Sequence, residues 1–174
     1  MGVRIDDQHQ FEESFRALAG HVHAYALRRT DPEMAQEVTA ETFLIAWRRR
    51  DKLPAEPLPW LYGIARRVLA NQRRSASRRA ALSARLDAQP ASEPPSHERH
   101  GVIEALARLG ERDREVLLLI AWEGLSTQEA ATALGCSNTA FAVRLHRARR
   151  RLARALVEDE GPTAPGHHVS EVSA

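Results

Sequence analysis

The stretch "GLSTQEAATALGCSNTAFAVRLHRARRRLARAL", Gly124 to Leu156, carries the start and stop signals of two helices and the turn between them. Gly124 can end a preceding helix, and Ser126 with Glu129 forms a capping box that opens a new one. That helix turns Ala130, Ala133 and Leu134 inward and breaks at Gly135, after which Ser137 or Asn138 can cap the next. In the next helix Phe141, Leu145, Ala148, Leu152 and Ala155 recur at alternating helical steps, so they form one core-facing stripe. The opposite face carries Thr139, Val143, His146, Arg147 and Arg150, and the whole segment from Ser137 to Leu156 contains no acid. The basic side chains suit a polyanion, and Val143 suits the methyl group of a thymine in a major groove. For an isolated helix, a solvated basic face with one stray valine is the other reading. Helix, glycine turn and basic helix together predict a helix-turn-helix, and the small Ala130, Ala131 and Ala133 allow the close crossing it needs.

Composition agrees with a nucleic-acid partner and sets limits. The chain has 174 residues and a formal net charge of +2, with basic residues in excess on both sides of its middle and an acidic tail from Glu158. No apolar run approaches the ~20 residues of a membrane span, and "MGVRIDDQHQ" lacks the regions of a signal peptide, so a cytoplasmic protein without a membrane partner is expected. Cys136, the single cysteine, sits in the turn between the two helices as a small filler. The histidines have no metal-ligand spacing, and no paired carboxylates, activated nucleophile or phosphate loop stands out. The expectation is therefore no metal, no cofactor and no catalytic residue.

Between 81 and 100, "ALSARLDAQPASEPPSHERH" has linker composition, with Pro90, Pro94 and Pro95 among serines. The segment before it is helical. Phe11, Phe15, Leu18, Val22 and Tyr25 follow helical spacing, and Asp31 with Pro32 starts a second helix that ends at Arg48, Arg49 and Arg50. Glu33, Glu37 and Glu41 make an acidic ridge along that second helix, either solvated or facing a basic partner. A proline-broken loop, "DKLPAEPLP", leads to a helix from Trp60 in which Trp60, Ile64, Arg67 and Asn71 share a row. Its basic run of Arg66, Arg67, Arg73, Arg74, Arg78 and Arg79 has no acids among it. Aromatics beside arginines can hold unstacked bases, so Trp60 and Tyr62 serve either single-stranded DNA or the core. The predicted fold is all-α: two small helical domains joined by a flexible linker, the second containing the helix-turn-helix. Their expected bounds are 1–80, 81–100 for the linker, 101–157, and a disordered acidic tail at 158–174.

At this level "ETFLIAWRR", "PWLYGIARRVLANQRR", "LGERDREVLLLIAWEGLSTQEAATALG" and "RLHRARRRLARAL" together resemble the extracytoplasmic-function (ECF, group IV) sigma factors of the sigma-70 family. The resemblance runs from about residue 11 to residue 157 and keeps both domains in order. It implies that the chain directs core RNA polymerase to promoters by reading −35 and −10 elements and promotes melting, without catalysing a reaction. Polymerase contact then falls to Glu37, Glu41, Phe43 and Trp47 on the clamp side, with the second domain on the flap. The −10 and melting set becomes Arg49, Arg50, Lys52, Trp60, Tyr62, Arg66, Arg67, Asn71, Arg73 and Arg74. Reading of the −35 element falls to Thr139, Ala142, Val143, Arg144, His146, Arg147, Arg149 and Arg150. Core RNA polymerase, promoter DNA and an anti-sigma factor are the implied partners.

Departures from the family pattern stand at Gln36 and Ala40, where one acidic contact is missing, and at Arg67, where an asparagine is common. Ala142 and Val143 replace a basic and serine pair, which shifts base readout onto His146, Arg147 and the methyl contact. The alternative is a dimeric helix-turn-helix regulator binding duplex DNA, which would need a dimerisation surface or ligand pocket in the first half.

Overall fold

The computed structural model describes residues 5–83 and 100–159, and every regular element among them is helical. The elements are α1 (Ile5–Leu27), α2 (Pro32–Arg48), α3 (Pro57–Ser83), α4 (His100–Arg108), α5 (Glu111–Ala121), α6 (Thr127–Leu134) and α7 (Asn138–Asp159), with a single 3-10 turn at Arg50–Lys52. The proline-rich part of the expected linker, with Pro90, Pro94 and Pro95, and the tail from 160 onward lie outside the described residues.

In the first half, α1, α2 and α3 pack mutually. Asp31 caps α2 by accepting from the Met34 amide at 2.9 Å, and Pro32 occupies the first turn, where a missing N–H costs nothing. Val22, Tyr25, Val38, Leu61 and Ile64 are buried between the three helices. Phe11 and Phe15 meet Phe43 edge-on at 6.4 and 4.7 Å, fixing α1 along α2.

Two boundaries differ from expectation. Pro57 and Pro59 belong to the first turn of α3 rather than to the loop before it, because proline's fixed φ and absent donor suit a helix start as well as a loop. At its other end α3 runs on to Ser83, into the segment whose composition reads as linker, since its alanines and arginines favour helix where no proline intervenes.

The second half is the expected helix-turn-helix on a supporting pair. Ser126 accepts from the Glu129 amide while the Glu129 carboxylate accepts from the Ser126 amide at 2.7 Å. Gly124 and Gly135 both have φ of +66°, the left-handed conformation that a side chain resists. Ser137, rather than Asn138, caps α7 by accepting from the Ala140 amide at 3.2 Å. Phe141, Leu145, Ala148 and Ala155 are buried as the stripe required, and Leu152 is half-buried.

The two halves do not sit apart. One hydrophobic cluster runs through both, and α3 packs directly on α6. Gly63 of α3 makes this approach possible: a Cβ there would stand 3.0 Å from the carbonyl oxygen of Ala133. The small residues of α6 thus serve a contact with α3 as well as the turn into α7.

Candidate nucleic-acid interface

The outward face of α7 forms an uninterrupted exposed surface. Thr139, Ala142, Val143, Arg144, His146, Arg147, Arg149 and Arg150 are all exposed, behind a capped turn that fixes the helix's entry angle. Val143 leaves 46% of its surface free at the centre of this face. Cys136 is half-buried against the core, where its amide donates to the Ala131 carbonyl at 3.0 Å and helps close the turn. The arrangement presents a rigid basic row with an apolar centre, the chemistry of a helix that enters a major groove.

The candidate residues of the first half divide into three groups. Arg49, Lys52, Arg67, Asn71 and Arg74 are exposed, and Trp60 is half-buried. Lys52, Pro54, Pro59 and Trp60 line one wall of a cleft of about 790 Å3 whose other wall is the first turns of α6, including Gln128 and Glu129. Arg49, Arg67 and Asn71 meet Glu41 around a hollow of about 100 Å3 between α2 and α3, so the end of the acidic ridge adjoins the basic set. Arg50 lies over the Trp47 ring at 4.3 Å and donates to the Trp47 carbonyl, which orients the 3-10 turn.

Three candidates are engaged elsewhere. Tyr62 is 2% exposed and stacks on Tyr25 with ring centroids 4.7 Å apart; burial, then the nearby Glu123 carboxylate, pushes its phenol up to about 12. It is a core residue and cannot stack on a base. Arg66 donates to the Leu134 carbonyl at 3.4 Å, and its Nε is sealed from water without a partner, so it belongs to the junction of α3 with the second half. Arg73 donates to the Arg29 carbonyl at 3.0 Å and pairs with Glu111 of α5. Arg66 is not free to follow a strand in this arrangement, whereas Arg73 stays exposed and is engaged only at the surface.

The polymerase set changes in a similar way. Glu37 is exposed and Glu41 half-exposed, but Phe43 is 5% exposed and supports the ridge from beneath. Trp47 is half-buried on Phe11 at 5.0 Å. Leu44, not among the expected residues, leaves 50% of its surface free on the same helical row as Glu37 and Glu41. Spacing of four and three from those acids was the signal that could have found it. Val102 and Ile103 on α4 are exposed apolar residues as well.

A helix-turn-helix with a basic exposed face, beside a separate acidic and apolar ridge, is the architecture of a helical DNA-binding protein. Comparison with known proteins places it more narrowly. Profiles of Sigma-70 region 2 and Sigma-70 region 4 match residues 14–79 and 99–152. The chain is 33% identical over 144 residues to the ECF RNA polymerase sigma factor SigL of Mycobacterium tuberculosis, covering 77% of this chain and 81% of that protein. It is also 33% identical over 156 residues to RfaY of Xanthomonas campestris pv. campestris, described as a probable RNA polymerase sigma factor; there the match covers 82% of this chain but 39% of the longer relative. In fold it is similar to the sigma factor RpoE of Bartonella quintana, solved in complex with the anti-sigma factor NepR, with a TM-score of 0.64, 24% identity, and 86% and 98% of the two chains covered. The chain belongs to the sigma-70 family of RNA polymerase sigma factors, in its ECF group. A dimeric duplex-binding regulator is not favoured, since the match extends over both halves. No helix among the described residues is long and apolar enough to cross a membrane.

Proposed function

We propose that the chain divides its work as residues 1–80 for the polymerase clamp and the −10 element, 81–100 as tether, 101–157 for the −35 element and the flap, and 158–174 as an acidic tail. The observation that carries this reading is the exposed face of α7, with Val143 at its centre and His146 and Arg147 beside it. Arg147 and His146 contact base edges, and Arg144, Arg149 and Arg150 contact phosphates at the groove's rims. Thr139 and Ala142 approach the groove from the first turns.

In the first half, Glu37, Glu41 and Leu44 dock on a basic and apolar partner surface of the polymerase, with Trp47 and Phe43 holding that ridge in place. Acids at successive turns repel one another, a cost a basic partner relieves. Lys52 and Trp60 line the cleft that receives an unpaired −10 base, with Arg49 and Arg50 preceding it in the chain, and Arg67, Asn71 and Arg74 follow the strand. A pre-shaped pocket offsets the few kcal/mol lost when a base leaves its stack. The chain works by binding, not by catalysis, and acts in the cytoplasm beside the polymerase. A protein partner of the anti-sigma kind, as RpoE has in NepR, holds it inactive.

Co-purification with core RNA polymerase, followed by run-off transcription on genomic fragments, tests the assignment. Discrete transcripts that require both the chain and the core enzyme are expected. Duplex binding without core association would instead return the chain to the class of simple regulators.

A further inference from the structure

Five arginines from three helices line one cleft of about 450 Å3: Arg66 of α3, Arg112 of α5, and Arg144, Arg147 and Arg151 of α7. The three on α7 stand at steps of three and four, so they share a row. Two carboxylates line the same cleft, and both are already engaged. Asp113 pairs with Arg151. Glu115 accepts from Arg29 Nε at 2.8 Å and from the Tyr25 hydroxyl at 2.6 Å. Arg29, whose side chain is 5% exposed, also donates to Glu123 at 2.9 Å, and Arg28 and Arg29 together balance Glu115 and Glu123. Arg66, Arg112, Arg144 and Arg147 are left over: among the described residues no carboxylate pairs with any of them. The last three are exposed to water. Arg66 is half-buried, has only the Leu134 carbonyl at 3.4 Å, and keeps its Nε buried without a partner, so its charge is the least compensated of the four.

Four like charges around one cleft repel each other, and an anion that reaches all of them relieves the repulsion. Guanidiniums take phosphate oxygens in bidentate pairs, so four of them suit several phosphates in a row better than a single acid group. The volume falls within the roughly 300–1,000 Å3 of small-molecule sites. We infer that this cleft binds a linear di- or triphosphate, free or carried by a nucleotide. The phosphates span from Arg66 to Arg112, Arg144 and Arg147, and the apolar part of the lining, Val116 and Leu134, offers a nucleotide's ring its contact. One consequence rests on the assignment of α7 to the −35 element. With Arg144 and Arg147 on phosphates of the ligand, the ligand and a promoter duplex compete, and each weakens the other by the same factor.

The test titrates the full chain with tripolyphosphate, ATP and orthophosphate by calorimetry at physiological ionic strength. Tripolyphosphate should saturate one site per chain. Arg112→Ala, an exposed change outside the residues assigned to DNA, should weaken it by about tenfold, the worth of a lost charge-assisted bond. Arg154→Ala removes the same charge from an exposed position that does not line the cleft, and should change affinity by less than about twofold once salt screens it. Arg66→Gln keeps a donor for the Leu134 carbonyl and should lose about as much as Arg112→Ala. ATP binding tighter than tripolyphosphate identifies a nucleotide as the ligand, and equal or weaker binding identifies the free chain. Absence of saturable binding, equal losses at Arg112 and Arg154, no loss at Arg66, or orthophosphate binding as tightly as tripolyphosphate each overturns the site. Tripolyphosphate should also displace an end-labelled duplex, about tenfold less readily from Arg112→Ala. An Arg147→Ala chain that loses tripolyphosphate but keeps the duplex removes the −35 assignment and leaves the site standing.

Discussion

Two helices of this chain look alike on paper, each a run of arginines without acids, and they end in opposite conditions. On α7 the arginines assigned to DNA stay exposed along a face set by a buried stripe behind them. On α3, Arg66 and Arg73 are held by Leu134, Arg29 and Glu111, while Arg67 and Arg74 of the central run remain exposed, Arg67 beside Gly135 and Arg74 on Asn71 of its own helix. A basic run is therefore a statement about local charge, and its use depends on whether distant acids and carbonyls are folded onto it.

The comparison is tested most strongly at Arg29, the most deeply held of the arginines. Arg29→Ala leaves Glu115 and Glu123 without their shared partner, and a loss of about 3–5 kcal/mol in urea unfolding is expected. Arg150→Ala, on the free face, should stay within about 0.5 kcal/mol. Equal small losses at both would erase the distinction. Binding should rank the other way: Arg147→Ala should cost about 1–3 kcal/mol at one base pair of the −35 element and relax preference there, in a screen of promoter variants.

A smaller effect sharpens the junction itself. Gly63→Ala forces a methyl group toward the Ala133 carbonyl, and strain of about 1–3 kcal/mol, or partial separation of α3 from α6, should appear as a lowered unfolding midpoint. Ser126→Ala removes the cap of α6 at a smaller cost of about 0.5–2 kcal/mol. The Ser126 hydroxyl and then its amide hold the Glu129 carboxyl below its ordinary value. Because the folded-state value is depressed, that contribution is present above the unfolded carboxylate value and fades as pH falls through the folded one. Wild type and Ser126→Ala should therefore converge in stability under acid, measured by thermal unfolding across pH.

The pattern of what could be read from sequence follows from distance along the chain. The capping box at Ser126 and Glu129, the left-handed Gly135 and the stripe from Phe141 to Ala155 are local, each decided within a turn or two of its own residues, and the structure bears them out. Asp31 and Pro32 were legible for the same reason. Pro57 was ambiguous because a loop and a first helical turn accept the same residue. Tyr62 was left between core and base stacking and the roles of Arg66 and Arg73 were illegible, since the partners that bury or bind them, Tyr25, Leu134 and Glu111, stand in other helices. Phe43 and Leu44 are neighbours, one buried and one free, and only the position of α1 decides which.

The division of labour within the first half can be put to one measurement, permanganate reactivity of thymines near the start site in holoenzyme reconstituted with this chain. With Leu53 to Glu56 replaced by a glycine and serine segment of equal length, core association and −35 binding should persist while the reactivity of the intact chain is lost. Full reactivity with the replaced loop would contradict base capture beside Trp60.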